Sequence, residues 1–377
     1  QHTTKMKKLI VDIETNAIKD WERLTDLHTI HCICIQDADT GELYSYNSQT
    51  EGALERAMEI IGASDTIIGH NAIGFDWPAL VKMDKNKVLD VSPPFVIDTK
   101  VMAACIFPDR KSNDFNDETF PRNLAGSHSL KAWGLRLGVH KDDHGATEDW
   151  TEWSQEMQDY CEQDVRVTYE LYSYLSGLSP SKKMLTIEHE FAKAIQVQVA
   201  NGFPFDEDKA RDLAATLMKR RVELEEELQE LFEPTVVETK TPIWKTPDGE
   251  TWKTKKSAVE AGHKPGDIFK EGFKTKSIPF NPGSRDQIAE RLMADGWKPK
   301  AYEGKRPEIN EVVLKEIGTP ASDKLLEYLL VQKRLGALAE GKNAWMGMVK
   351  DGRIHGNVNT HGTYSGRCSH SKPNLAQ

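Results

Sequence analysis

The chain has 377 residues, of which 38% are apolar and 29% charged, as in globular proteins with two or three domains. It has no apolar run close to the ~18 residues that span a membrane and no signal peptide, so we expect neither membrane spanning nor secretion. Its five cysteines include no Cys-x-x-Cys pair, which argues against a disulfide framework and favours a reducing cytoplasm. Residues 1–5 precede Met6, and we expect them to be a cloning remnant.

The net charge of −10 is unevenly distributed along the chain. Residues 1–178 carry 17 Lys and Arg against 30 Asp and Glu, a net charge of −13. Residues 179–377 carry 32 against 29, a net charge of +3. An acidic half can hold metal ions while a basic half meets phosphates, so this division favours a nucleic-acid partner despite the overall negative charge.

The first half of the chain predicts an α/β fold with a mixed sheet covered by helices. Residues 9–14 and 66–69 predict short buried strands. Two further strands are predicted on either side of the turn-rich residues 37–41, which would join them as a hairpin. Apolar residues at helical spacing predict helices at residues 54–61, 77–83, 130–137 and 155–175. Strands followed by alternating helices and strands are typical of this class.

The second half predicts a mainly helical region with one interruption. A long helical tract covers residues 184–232, with a break at residues 201–204, and helical spacing resumes at 284–297 and 323–350. Between them, residues 233–279 contain five prolines, four glycines and nine lysines, with little periodicity. A loop of this length is unusual inside a compact domain, so we expect an insertion that is functional or mobile.

Two carboxylates end the first predicted strand. Asp12 and Glu14 are two residues apart, and residues i and i+2 of a strand point to the same face. Paired carboxylates beside an apolar strand repel one another unless a cation neutralises them, and hard oxygen ligands suit Mg²⁺ or Mn²⁺. The alternative is an ordinary strand end exposed to solvent.

Two further patterns are ambiguous when each is taken alone. Asp76 follows a predicted strand and lies at a predicted helix start, where its ordinary role would be N-capping. Tyr160 and Asp164 are four residues apart on a predicted helix, which places them on one face. A surface pair is the alternative for these two residues.

Together, these five residues stand in the order and local context of the DEDDy-type 3′–5′ exonucleases, which residues 6–180 resemble. The resemblance implies an RNase H-like fold in which Asp12, Glu14 and Asp164 hold one divalent ion. Asp12 would bridge to a second ion, which Asp76 would hold through water. Two ions about 3.5–4 Å apart can serve the attacking and leaving oxygens of phosphodiester hydrolysis. Tyr160 would orient the attacking water, because a phenol with a pKa near 10 is not a base at neutral pH.

The second half resembles family A DNA polymerases of the T-odd phage type, on residues 280–288 and 363–375, and the resemblance runs from about residue 8 to 377. Four residues are candidates for DNA contacts. Asn71 would meet the primer terminus, and Ser284 and Arg285 open a helix whose N-terminus favours phosphate. Arg367, in a Thr-x-x-Gly-Arg segment, would lie against the primer–template duplex. A glycine-containing turn with a solvated arginine is the alternative.

The resemblance assigns residues 181–377 to the thumb and the start of the polymerase domain. The palm aspartates of that family have no counterpart here, so we expect a truncated or split polymerase, with palm and fingers on another chain. Polymerase activity is not expected from this chain alone. The insertion at 233–279 lies where T-odd phage polymerases capture thioredoxin, which suggests a thioredoxin-like processivity factor; a solvated variable loop is the alternative.

The resulting hypothesis is a proofreading exonuclease that acts on single-stranded 3′ ends of DNA in the cytoplasm of an infected bacterial host. Two rivals remain open. One is a non-catalytic DNA-binding scaffold subunit of a replication complex, against which the intact carboxylates argue. The other is an independent exonuclease that trims DNA or RNA, against which the resemblance beyond residue 200 argues.

Overall fold

The computed structural model describes residues 7–16, 23–91, 95–139 and 150–376, and the cloning remnant expected at residues 1–5 lies outside them. The chain divides into two compact units. One holds residues up to 205 together with 348–376, and the other holds 206–347. Compactness alone does not define a functional domain, so the boundary expected at residue 180 stays a prediction. No helix in the described ranges is both long and apolar enough to cross a bilayer.

The first unit is built on a five-stranded mixed sheet. Its first elements are β1 (Lys8–Thr15), α1 (Arg23–Asp26), β2 (Ile30–Asp37), β3 (Leu43–Asn47), α2 (Ala53–Gly62), β4 (Thr66–Gly69), α3 (Asp76–Met83), α4 (Val88–Val91) and β5 (Phe95–Asp98). The strand order is β3-β2-β1-β4-β5. β1 pairs antiparallel with β2 and parallel with β4, which confirms the predicted mixed sheet.

Helices follow the sheet along the chain: α5 (Thr99–Ile106), α6 (Arg110–Phe115), a 3₁₀ turn (Arg122–Leu124), α7 (Leu130–Leu137), α8 (Gln155–Gly177) and α9 (Lys182–Asn201). The short strand β6 (Phe203–Pro204) comes after α9. Alternation along the strands supplies two apolar faces. Leu9, Val11 and Ile13 of β1 pack in one core with residues of α2 and α3. Ile10 packs in a second core, with Cys161 and Val165 of α8.

The second unit contains a long helix, a small sheet and shorter helices. Its elements are α10 (Glu207–Leu231), β7 (Thr235–Lys245), β8 (Thr251–Trp252), α11 (Lys255–Glu260), β9 (Phe269–Ile278), α12 (Arg285–Ala294), β10 (Tyr302–Glu303), β11 (Arg306–Pro307), α13 (Glu311–Ile317) and α14 (Pro320–Leu335). Arg220 of α10 donates hydrogen bonds to Glu327 of α14 at 2.7 and 2.9 Å, which ties these two helices together.

The prediction of a loop without regular structure at residues 233–279 is wrong, because the structure contains strands there. β7, β8 and β9 form a three-stranded antiparallel sheet, with β7 in the middle. Val236 and Phe269 on this sheet are more than half exposed. Because these strands bury few side chains, their sequences do not show the apolar–polar alternation from which strands are predicted. Their β-branched and aromatic residues nevertheless favour extended structure.

The helix predicted over residues 323–350 also ends early. α14 stops at Leu335, and a single π-helical turn follows at Gly336–Glu340. Gly336 begins this turn and Gly341 follows it, and glycine is a weak helix former because it has the most backbone entropy to lose. The chain then returns to the first unit through β12 (Val349–Lys350), β13 (Arg353–Ile354), β14 (Asn357–Asn359) and β15 (Ser369–Ser371).

One buried ion pair links helices α6 and α7. Asp114 accepts hydrogen bonds from Arg136 Nη2 at 2.7 Å, Arg110 Nε at 3.1 Å and the backbone N–H of Gly126 at 2.8 Å. The guanidinium of Arg136 also lies over the Trp133 ring, 4.8 Å from its centroid. These bonds join α6 and α7 and hold the pKa of the buried Asp114 carboxyl below its usual range.

Asp114→Ala is expected to lower the free energy of unfolding by about 3 kcal/mol, because it leaves a buried guanidinium without its counter-charge. Urea denaturation measures this change. Glu118→Ala, at an exposed acid four residues later, is the control and should change the free energy by less than about 0.5 kcal/mol. Equal effects of the two substitutions would contradict the role given to Asp114.

Candidate metal centre

The central strand β1 positions the first two candidate ligands. Asp12 and Glu14 lie opposite Cys34 and Cys32 of β2 in the antiparallel ladder, on the same side of β1 as Ile10. The adjacent parallel strand β4 ends at Gly69. A Cβ at Gly69 would lie 2.8 Å from Ala72 Cβ and 3.1 Å from Val11 O, so the close approach of the chain beside β1 requires glycine there.

Helix α8 brings the third ligand over the same face of the sheet. Ser154 caps the helix, and its side chain accepts a hydrogen bond from the Met157 N–H. Cys161 faces the sheet and donates to the backbone oxygen of Asp12 at 3.4 Å. Asp164, less than one turn further along α8, is therefore held above β1 with only 8% of its surface exposed.

These elements bring three predicted ligands together. One carboxylate oxygen from each of Asp12, Glu14 and Asp164 lies within 4.8 Å of the other two. All the donors are carboxylate oxygens, the ligand type that Mg²⁺ and Mn²⁺ prefer. The residues present therefore fit a hard divalent cation.

Asp76 is the fourth predicted carboxylate, and it lies beside this group. It is the first residue of α3 and is 6% exposed. Phe75 occupies the N-cap position and no side-chain cap hydrogen bond is made, so the N-capping alternative for Asp76 is wrong. The backbone N–H groups of Asp76 itself and of Ile13 lie close enough to its carboxylate to favour the negative charge, which places Asp76 beside β1.

The crowding of acids changes their protonation. Burial first, and then the charges of Asp76, Asp164 and Glu14, raise the pKa of Asp12 well above its ordinary value. Burial likewise raises the pKa of Asp76 to about 7, and the nearby charges of Asp98 and Asp164 add to this effect. Negative charge is therefore costly at this end of the sheet unless a cation compensates it.

Asp98 is a residue that the sequence reasoning did not select for the site. It is 2% exposed at the end of β5 and accepts hydrogen bonds from the backbone N–H groups of Asn71 at 3.0 Å and Ile73 at 3.1 Å. It also caps α5 through the N–H groups of Lys100 and Val101. The sequence contained one signal for this role, because an aspartate that stands between an apolar strand and the start of a helix is typical of an N-cap.

Asn71 lies in the turn that Asp98 holds. Its φ of 65° is in the left-handed region, which asparagine tolerates better than most residues. Its Oδ1 accepts a hydrogen bond from Lys100 Nζ at 3.0 Å. The side chain lines a cavity of about 810 Å³, together with residues from α5 and from the segment 357–364.

Tyr160 lies one turn before Asp164 on α8 and is half-buried. The Trp150 ring meets it edge to face, with ring centroids 6.4 Å apart. This contact fixes the plane of the phenol on the helix face that the sequence predicted.

The remaining candidates are Ser284, Arg285 and Arg367. In the second unit, Ser284 caps α12 as predicted, and its side chain accepts a hydrogen bond from the Gln287 N–H; Arg285 is exposed in the first turn. In the first unit, Arg367 is exposed on a turn closed by its own N–H, which donates to Thr363 Oγ1 at 3.0 Å. Gly366 within this turn has a φ of 75°. This turn is consistent with both interpretations of Arg367, a contact with the primer–template duplex and a solvated arginine in a glycine-containing turn.

Comparison with known proteins gives three findings. Residues 253–377 match the model of DNA polymerase family A. Over 98% of its length the chain is 32% identical to the DNA-directed DNA polymerase of Escherichia phage T7 and 31% identical to that of Enterobacteria phage T3. It spans 62% of the length of each of these relatives.

A solved structure also resembles the chain. It is the polymerase domain of Pol1 from M. smegmatis in complex with DNA primer-template and dNTP, with a TM-score of 0.58 and 14% identity. The match covers 99% of this chain and 52% of that one. At this identity the likeness shows a shared fold.

Asp12→Asn is expected to raise the free energy of unfolding in EDTA by about 1 kcal/mol, because it removes one of four crowded acidic groups without changing side-chain size. Urea denaturation at mildly alkaline pH measures the change. The exposed Glu51→Gln is the charge-matched control and should be neutral. A destabilised Asp12→Asn protein would contradict the electrostatic description of the site.

Proposed function

We propose that this chain is part of a family A DNA polymerase of the T-odd phage type and that its residues 6–180 form the 3′–5′ proofreading exonuclease. The observation that carries the proposal is the convergence of Asp12, Glu14 and Asp164 to within 4.8 Å. The mixed sheet with carboxylates on its central strand supports an RNase H-like fold for this region. The reaction proposed is hydrolysis of the 3′-terminal phosphodiester of DNA.

We propose that these carboxylates hold two divalent ions, Mg²⁺ or Mn²⁺. Asp12, Glu14 and Asp164 would hold the first ion, Asp12 would bridge to the second, and Asp76 would hold that ion through water. When bound, such ions supply an activated water and stabilise charge on the attacking and leaving oxygens. β1 and α8 hold the carboxylates in place before substrate arrives, which avoids reorganisation during the reaction.

Tyr160 is proposed to position the attacking water. It occupies the same face of α8 as Asp164, and the Trp150 ring fixes its orientation. The phenol hydroxyl both donates and accepts a hydrogen bond, so it can orient a water while remaining protonated.

The 3′ end of the strand is proposed to enter beside Asn71. The cavity there is also lined by Lys100, Arg110 and Lys111, which supply positive charge to a polyanion in an otherwise acidic half of the chain. Asp98 holds the Asn71 turn and thereby positions this contact.

The remainder of the chain is proposed to serve the polymerase. Ser284 and Arg285 at the start of α12, and Arg367 on its exposed turn, are candidates for contacts with the primer–template backbone. A polymerase chain that carries palm and fingers is a proposed partner. The sheet at 233–279 is a candidate dock for a thioredoxin-like processivity factor, in the cytoplasm of the infected host.

The test of the exonuclease is degradation of a 3′-labelled single-stranded oligonucleotide. Asp12→Ala/Glu14→Ala is expected to slow degradation on the order of 1000-fold, since several kcal/mol of metal-derived stabilisation are lost. EDTA should abolish the wild-type rate, and Mg²⁺ should restore it. Glu51→Ala/Glu55→Ala, which removes two exposed acids, is the control. Equal rates for parent and Asp12→Ala/Glu14→Ala would refute the assignment.

Tyr160→Phe is expected to slow the same reaction by about tenfold, the equivalent of one lost hydrogen bond, with unchanged binding of the oligonucleotide. Single-turnover kinetics with saturating enzyme isolates this step. Tyr174→Phe, at an exposed tyrosine of the same helix, is the matched control. An unchanged rate for Tyr160→Phe would remove the phenol from the mechanism.

A further inference from the structure

A second cluster of potential metal ligands lies in the first unit, outside the carboxylate site. Cys105 is near the end of α5, Glu188 is on α9, and His361 follows β14. One ligand atom from each of these residues lies within 4.8 Å of the other two. All three side chains are partly buried.

Two of the three distances in this cluster are close to those of a zinc site. His361 Nε2 lies 3.2 Å from Cys105 Sγ and 3.2 Å from Glu188 Oε2. Ligand atoms bound to Zn²⁺ at 2.0–2.3 Å in a tetrahedron are roughly 3.3–3.6 Å apart. The third pair, Cys105 Sγ and a carboxylate oxygen of Glu188, lies within 4.8 Å, so these two side chains could close around a cation.

The other nitrogen of the His361 ring is also held. Its Nδ1 lies 3.2 Å from Thr360 Oγ1. Histidines that bind metals usually engage their second nitrogen in this way, which fixes the orientation of the ring. His361 additionally lines the 810 Å³ cavity, which gives an ion and a water ligand a path to the cluster.

The chemistry of the three donors selects the cation. A thiolate, an imidazole and a carboxylate form a mixed set that suits Zn²⁺, whereas Mg²⁺ prefers oxygen alone. Without a cation, burial and the charge of Glu188 raise the pKa of the Cys105 thiol to about 12. A bound divalent ion would compensate the thiolate and carboxylate charges at this position.

We propose that Cys105, Glu188 and His361 form a Zn²⁺ site whose fourth position is open to water. The site joins α5 and α9 to the segment that contains β14 and β15. Thr363 begins the Arg367 turn only two residues after His361, so bound zinc would hold this turn against the sheet-bearing unit. The proposal is independent of the exonuclease.

Cobalt substitution tests the site directly. Titration of the full chain with Co²⁺ should produce a near-ultraviolet absorption band of thiolate-to-cobalt charge transfer, saturating at one equivalent, and Zn²⁺ should abolish it. The ligands Asp12, Glu14 and Asp164 contain no sulfur. Loss of the band in Cys105→Ser would distinguish this cluster from the thiols of Cys32, Cys34 and Cys161 beside those carboxylates. Hydrogen exchange in residues 357–363 should slow when Zn²⁺ is added.

Variants assign the ligands. Cys105→Ser should lose the band. Cys368→Ser, which removes a thiol from the C-terminal segment that contains His361, should keep it. Glu188→Gln and His361→Asn should retain the thiolate but weaken Zn²⁺ binding at least about tenfold, with His370→Asn as the neutral control. Circular dichroism checks the fold of each variant.

Two results would overturn the proposal. The first is the absence of a thiolate band in the parent chain, which would mean that the three side chains only hydrogen-bond to one another. The second is a band that persists in Cys105→Ser or a zinc affinity unaffected by both Glu188→Gln and His361→Asn.

Discussion

The repulsion among Asp12, Glu14, Asp76 and Asp164 is the constraint on which the site depends. Burial raises the free energy of each negative charge, and proximity raises it further, so the pKa of Asp12 lies far above its ordinary value. The fold tolerates this cost because β1 is packed on both faces and α8 is fixed against it through Cys161. A rigid site with uncompensated charge has a high intrinsic affinity for cations, at the expense of stability without them.

Much of this site is predictable from the sequence, because its parts depend on local periodicity. Alternation on β1 places Asp12 and Glu14 on one face, and the four-residue spacing on α8 places Tyr160 with Asp164. The order of these motifs indicates the DEDDy exonuclease family, which stays a prediction, whereas the comparisons support a relation to the family A DNA polymerases of phages. The convergence of Asp76 could be expected only by resemblance, since its own position is equally typical of an N-cap and the structure places Phe75 there instead.

Other features depend on contacts between distant segments, and local patterns do not encode these. Asp98 organises the Asn71 turn across paired strands β4 and β5. The sheet at 235–278 escapes prediction because its strands are largely solvated on both faces, and α14 ends at glycines that an apolar periodicity does not register. Cys105, Glu188 and His361 come from three remote segments, each of which is unremarkable alone.

Two kinds of metal chemistry would thus coexist in one unit, with hard oxygen ligands for hydrolysis and a mixed sulfur, nitrogen and oxygen set for structure. The central claim concerns the first. Anomalous scattering from a crystal grown with Mn²⁺ tests it most directly. The account predicts a manganese peak within about 2.5 Å of carboxylate oxygens from Asp12, Glu14 and Asp164. A crystal in which manganese binds elsewhere, while these three carboxylates contact only protein or solvent, would contradict it.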